Sequence, residues 1–489
     1  MDSTRIVKFL PRLQDVFLTA LFVAVILLGD RMINLDGDLP RHLTAGKYIL
    51  ENLKVPTSEL FIYPYEGRPY VSHEWLTQVI FYIVYRYMGL PGLVLLSASL
   101  LALTFFIPYS YLSQRLSLRL PVLLLIAWGA LVTSLNWAIR PHLFTMFFLS
   151  IWLVWADRLR RGEKISIWRF PALMLAWSNV HGVFIAGILV LLALAVGWII
   201  DRLFDPGSAE GASGRNIWTA LGFSTLASML NPGGAGSWFS ILGFVNNPYL
   251  MSRMLEANPP NFQAPEMRIF LSLLAFSIFL LAFKREKFSA GQGLLIAGFS
   301  ALGLMAFRNV HLYGVVAPFV LAQALIELRG ARVIHTLENN LSSIESRIRG
   351  GMFPLIPLAF LGIWFVFSPH TSDLYKFDPA KFPVQAVEWL ENHPRNDAMF
   401  NDLNWGGYIE LHLWPRQKAF VDSVADVTGE ITREYETVIM LADGWEAIFE
   451  KYKITLAIIP SDSPLAEHLT HEKHWEILHK DETAVVLRK

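Results

Sequence analysis

Long apolar runs separated by short polar turns constrain this chain more than any other feature. They lie at 16–33, 92–112, 120–138, 142–158, 168–180, 183–203, 216–230, 267–284, 289–306, 310–328 and 352–368, eleven in all. Each is near or somewhat below the ~20 residues that a helix needs to span a bilayer. In lipid a backbone N–H or C=O finds no water, so each run must satisfy its own hydrogen bonds as a helix. A chain of 489 residues that is 54% hydrophobic and only 17% charged is too apolar for a soluble protein of its size. The fold expected is a membrane all-α protein, a polytopic bundle of about 11 transmembrane helices.

Charge gives this bundle an orientation. Arg5, Lys8 and Arg12 precede the first run, and no small-residue cleavage site follows it, so it reads as a retained anchor with the N-terminus in the cytoplasm. The expected cytoplasmic turns then carry Arg115 and Arg119; Arg158, Arg160, Arg161, Lys164 and Arg169; Arg202 and Arg215; Lys284, Arg285 and Lys287; and Arg329, Arg332, Arg347 and Arg349. The short outer turns hold little beyond Arg140, Arg253 and Arg308, which is the asymmetry of the positive-inside rule. An odd number of spans places the C-terminal region outside. Counting 75–87 as a span would invert every later turn, so it reads as a juxtamembrane helix within a first outer loop of 34–90. Lysine plus arginine equals aspartate plus glutamate at 41 each, which leaves no global field to attract nucleic acid. The absence of cysteine excludes disulfides, thiol catalysis and cysteine-bound metal.

Polar residues that belong to this scheme gather at the outer turns. Asp36 and Asp38 flank Gly37 just beyond the first run; two carboxylates so spaced can share a divalent cation such as Mg2+ or Mn2+, or one can take a proton while the other orients it. His73 and Glu74 lie in the first outer loop, Arg140 and His142 flank Pro141, Asn179 and His181 sit in the turn WSNVHG, Asn231 precedes Pro232, and Arg308, Asn309 and His311 open the tenth run. Any one histidine at a helix end is ordinarily structural, but ionisable groups that converge from several turns line a site. Arginine offers a planar fork of donors to a phosphate, and histidine a further donor. No phosphate-binding loop, GxSxG elbow or HExxH motif appears, so no nucleotide cofactor is expected.

The run DGDLPRHLTAGKYILENLKVPTSE, followed by EGRPYVSHEWL, resembles the first outer loop of GT-C membrane glycosyltransferases, the group of the lipid A aminoarabinose transferases and the protein O-mannosyltransferases. The resemblance aligns Asp36 with the family's catalytic aspartate, Asp38 with its frequent second acid, and 39–53 with its juxtamembrane helix. The chain departs from the aminoarabinose branch, which often has lysine and two prolines, at His73-Glu74-Trp75. The match covers roughly the first ninety residues well and the later runs only in layout. It implies transfer of a sugar from a polyprenyl-phosphate donor to a glycan, lipid or protein acceptor at the outer face of a prokaryotic cell (inner) membrane. In that reading Asp36 is the general base, with Asp38 and Glu74 orienting it or binding metal. Arg41, His73, Arg140, His142, Asn179, His181, Arg308, Asn309 and His311 would line the substrate. A glycolipid transporter or flippase, and a non-catalytic glycolipid-binding scaffold, are the competing classes.

After 368 the composition turns mixed, and 369–489 reads as a soluble α/β domain separate from 1–368. Strands are expected at 398–403, 408–413, 418–421, 456–460 and 483–487, and helices at 383–391, 430–441 and 445–452. Trp405 and Tyr408, in the stretch NWGGY, either pack in a strand corner or stack on an acceptor sugar. That stretch also weakly resembles the Trp- and Tyr-bearing acceptor segment of oligosaccharyltransferases.

Overall fold

A computed structural model describes residues 10–204, 213–348, 353–368, 371–423 and 429–489. Arg5, Lys8, Arg349 and the expected boundary at 369 lie outside them. All eleven apolar runs are helical in their described parts, from Leu13–Leu27 to Leu355–Phe367. Among the described residues four helices are long and apolar enough to cross a membrane, namely Trp75–Leu116, Gly182–Phe204, Pro265–Phe283 and Phe307–Gly330, and shorter apolar helices pack among them. The chain is an integral membrane protein. Gly89, at φ 62°, breaks Trp75–Leu116 into two helices, since only glycine takes that backbone freely. The segment 75–87 therefore lies in the first of these two helices.

The bundle has two polar ends. At one, Arg115 pairs with Glu163, Asp157 with Arg160 and Arg161, Arg119 with Glu338 and Glu345, and Lys284 with Glu327. At the other, Asp36, Glu74, Arg140, Glu256 and Arg308 gather. Helix His142–Arg160 runs from one set to the other, and its 19 residues give a separation of about 28 Å at 1.5 Å per residue. Between them lies an apolar core that includes the buried Trp152, Trp177, Phe270 and Tyr313.

The second set of charges lies under a small α/β domain. Its sheet has the order β1-β2-β4-β3, with β1 (Ala398–Asn401) parallel to β2 (Ile454–Pro460), and with β4 (Ala484–Arg488) antiparallel to both β2 and β3 (Glu476–Lys480). Two sequence expectations fail here. Residues 408–413 are not a strand but most of helix Gly406–Leu413, and 418–421 makes only an isolated bridge, Ala419 to Ile62. The alternation in YIELHL misleads because Glu410, the polar member that ought to face water, is fully buried on Arg41. Helix Pro464–His471 and strand β3 have no counterpart in the sequence expectations.

This domain is not built from the C-terminal segment alone. Ile62 and Tyr65 of the first loop belong to its core beside Phe400 and Phe420. The contact is close: a Cβ on Gly37 would lie 2.2 Å from the carbonyl oxygen of Asn404, and one on Gly407 would lie 2.7 Å from that of Gly37. Only glycine permits the helix Gly406–Leu413 to press the Asp36-Gly37-Asp38 turn this tightly.

Candidate active site

The turn that carries the two aspartates is shaped by its own backbone. Helix Gly29–Ile33 ends at Asn34, whose side chain accepts from Asp378 N at 2.9 Å and donates to Lys376 O at 3.0 Å, fixing the turn to the small domain. Asp38 then opens helix Asp38–Asn52, where an acid suits the positive end of the helix. Its N–H donates to Asp36 Oδ1 at 3.0 Å, which closes the turn and aims both carboxylates the same way.

They meet Arg140. Its Nε lies 2.9 Å from Asp36 Oδ2 and its Nη2 lies 2.9 Å from Asp38 Oδ2. Ile139 N donates to Met32 O at 3.2 Å, so the turn before Pro141 is tied to the helix that precedes the aspartates. The remaining nitrogen, Nη1, donates to Glu256 Oε2 at 3.2 Å, and Glu256 Oε1 lies 3.2 Å from Arg308 Nη2. Ser423 Oγ donates to Asp38 Oδ1 at 2.5 Å from the small domain. Three carboxylates and two guanidiniums from four separate turns thus form one chain of charge.

A fourth acid stands behind it. Glu74 caps helix Trp75–Leu116, with Oε1 3.4 Å from His181 Nε2 and Oε2 3.8 Å from His42 Nδ1. His42 lies one turn beyond Asp38, on the same helix face. Thr145 Oγ1, which accepts from Trp177 Nε1 at 2.9 Å, lies 2.8 Å from His181 Nδ1. The rings of His142 and His311 complete the group, 5.2 Å apart, and His142 Nε2 donates to Asn136 O at 2.7 Å.

Burial raises the pKa of both aspartates; the charge of Asp38 adds to the rise at Asp36, and Arg140 opposes it at both. Glu74 is pushed up to about 7 by burial and by the charge of Asp38. Burial and the charge of Arg140 hold His42 down at about 3, a neutral imidazole. Glu256 goes the other way: burial works to raise it, but Arg140 and Arg308 keep its carboxyl below the usual range. The site therefore joins acids that hold protons readily to one that stays anionic.

In this structure the Arg140 guanidinium stands between the two Oδ2 atoms of the aspartate pair. Among the described residues no group of three or more His, Asp or Glu has the geometry to hold a metal ion.

Other expected site residues lie elsewhere. Arg41 is sealed in the protein, with Nη2 2.9 Å from Glu59 Oε2, Nη1 3.1 Å from Glu410 Oε2 and Nε 3.2 Å from Asp422 Oδ2, so every nitrogen is committed. Trp405 and Tyr408 are buried in the small domain, Trp405 donating to Lys381 O and Tyr408 packing on Phe377 and Phe382. Asn179 accepts from Trp75 Nε1 and donates to Leu175 O and Leu230 O, holding turns together. Asn309 donates to Leu302 O, and His73 Nε2 lies 3.1 Å from Ser240 Oγ. Sequence reading misses Glu256, His42 and Ser423. Glu256 has one signal: it is the sole carboxylate between Asn231 and Pro265.

No protein-family model and no curated protein matches the chain. Solved structures do. The archaeal oligosaccharyltransferase AglB from Archaeoglobus fulgidus, in complex with an inhibitory peptide and a dolichol-phosphate, aligns with a TM-score of 0.55 at 12% identity, over 93% of this chain and 70% of its own. ArnT from Cupriavidus metallidurans, bound to undecaprenyl phosphate, aligns with a TM-score of 0.51 at 12% identity, over 96% of this chain and 97% of its own. Both are GT-C membrane glycosyltransferases, and this chain has their fold.

Proposed function

We propose that this chain is a membrane glycosyltransferase that moves a sugar from a polyprenyl-phosphate donor to an acceptor at the extracytoplasmic face. One observation carries the reading: Asp36 and Asp38, Glu74, Arg140 and Arg308, from four separate turns of a GT-C fold, converge at the end of the bundle beneath the small domain. The two matched enzymes were solved with dolichol-phosphate and undecaprenyl phosphate, which supports a polyprenyl carrier here.

In the proposed step an acceptor oxygen attacks the anomeric carbon of the sugar. The bond from that carbon to the phosphate oxygen breaks, and its electron pair leaves with the lipid phosphate. Arg140 and Arg308 neutralise the charge that grows there, an interaction stronger in the transition state than in the ground state. Asp36 takes the proton from the acceptor hydroxyl; its raised pKa suits a base that must hold the proton it receives. Asp38 holds Arg140 beside it, and Glu74 sets His181 and His42 behind the pair.

A glycolipid transporter would need ionisable groups along a path through the midplane, whereas the charges here gather at the two ends. The test is reconstitution of the purified protein in vesicles with lipid-linked sugars and a mixed acceptor extract. A new glycosidic product supports the transferase; movement of intact lipid between leaflets without product supports the transporter and ends this reading.

A further inference from the structure

The arginines assigned to the donor's phosphate already hold an anion from the chain itself. Glu256 puts one carboxylate oxygen 3.2 Å from Arg140 Nη1 and the other 3.2 Å from Arg308 Nη2. A carboxylate bridging two guanidinium forks makes the contact that two phosphate oxygens would make. The ring of Phe244 covers Arg308 from a second side, at 5.6 Å.

Phe244 and Glu256 belong to one segment, and that segment is fastened at both edges. On the bundle side, Phe307 N donates to Asn258 O at 2.9 Å, beside Arg308. On the small-domain side, Tyr249 Oη donates to Glu436 Oε2 at 2.8 Å, Arg253 Nε lies 3.0 Å from Glu436 Oε1, and Arg433 sits 4.4 Å from the Tyr249 ring. Helices Gly236–Val245 and Pro248–Arg253 therefore form a strap that presents Glu256 to the arginines. Its ionic contacts involve partly exposed side chains, whose pairs are weak and exchange readily.

We propose that Glu256 is a displaceable plug, which competes with the phosphate of a lipid-linked donor for Arg140 and Arg308. This rests on the reading of those arginines as the phosphate site. A phosphate brings at least as much charge as the carboxylate and more acceptor oxygens, so it can take both forks from Glu256. The strap, by tying Glu256 to the small domain, makes entry of the donor depend on how that domain is seated.

The test is direct binding of undecaprenyl phosphate to the purified, detergent-solubilised protein, with inorganic phosphate as a parallel probe. Glu256→Gln keeps the shape and removes the charge, so it should tighten undecaprenyl phosphate binding on the order of 3- to 10-fold at low salt. The gain should shrink as salt screens the competing pair. Glu436→Gln, which loosens the strap from the small domain, should tighten binding less. A matching gain for inorganic phosphate assigns the seat to the phosphate group alone, and a gain confined to the lipid adds its chain. Unchanged or weaker binding by Glu256→Gln, with clear binding by the natural protein, overturns the plug and leaves the phosphate site standing. Binding by neither protein removes the phosphate site itself, and with it both readings.

Discussion

Two arginines in this molecule each face three carboxylates, and they do opposite things. Arg41, with Glu59, Glu410 and Asp422, has a side chain 2% exposed; Arg140, with Asp36, Asp38 and Glu256, has one 22% exposed. Around Arg41 the surroundings are closed to water: Glu59 also accepts three backbone N–H groups, from Leu60, Phe61 and Ile62, and Phe61 stacks 4.0 Å from the guanidinium. Such a cluster gains little from being formed, but removing one partner strands the others in low dielectric. Around Arg140 the same groups stay within reach of water and can trade partners, which a site that must release a charged product requires. Burial, not residue type, divides fastening from chemistry.

The largest effect expected tests the open cluster. Asp36→Asn keeps size and most hydrogen bonds but cannot take a proton, so transfer should fall by ~10²–10⁴-fold. Product formed from a lipid-linked donor in vesicles measures it, and full activity would break the comparison at its functional side. Next comes the sealed cluster. Arg41→Ala leaves buried carboxylates uncompensated and should cost about 3–5 kcal/mol of stability. Thermal unfolding in detergent, or loss of extractable folded protein, reports it; Arg140→Ala should move the same readout by only about 1 kcal/mol. Equal losses from the two would show that both clusters are structural.

Smaller changes sharpen the comparison. Arg308→Ala should lower turnover by about 10- to 100-fold, the worth of one charge-assisted contact. Arg308→Lys should recover part of it, since the ammonium keeps the charge and loses the fork. Steady-state rates at saturating donor separate the two variants, and a lysine as poor as alanine would deny the site its charge requirement. A further effect is in pH. Glu74, facing His181 and His42 and feeling Asp38, Glu256, Arg140 and Arg308, has its folded pKa raised from 4.5 to about 7. The folded state then binds the proton more tightly than the unfolded one, so stability falls as pH rises from about 4.5 through about 7 and levels off above. Glu74→Gln should flatten that slope in unfolding measured across pH 4–8; an unchanged slope would place the titration elsewhere.

Part of the site is legible in the amino-acid sequence, because it sits where local rules are strict. A helix crossing lipid must end at a turn, so polar residues at those turns, Asp36, Glu74, Arg140, His181 and Arg308, stand out against the apolar runs. Glu256 gives no comparable signal: Leu255-Glu256-Ala257 is an ordinary stretch of sequence, and the strap brings it, as a short 3-10 turn, to Arg308. Arg41 misleads in the opposite sense. A basic residue three positions after Asp38 reads as a substrate ligand, and nothing nearby in sequence announces that Glu410 and Asp422 will close over it.

Sequence alone is enough for the apolar helices of a membrane bundle and for the turns that carry most of the candidate site. Those follow from short-range physics, the need of each apolar run to satisfy its own backbone and the ease of spotting charge against it. It takes long-range packing to make 408–413 a helix, to draw Ile62 and Tyr65 into the small domain, and to seal one of two similar arginine clusters while leaving the other open. Each of these turns on partners hundreds of residues away, such as Arg41 with Glu410, 369 positions apart. Whether a charge meets its partner in the core or at the rim depends on how the elements pack, and no spacing along the chain encodes it.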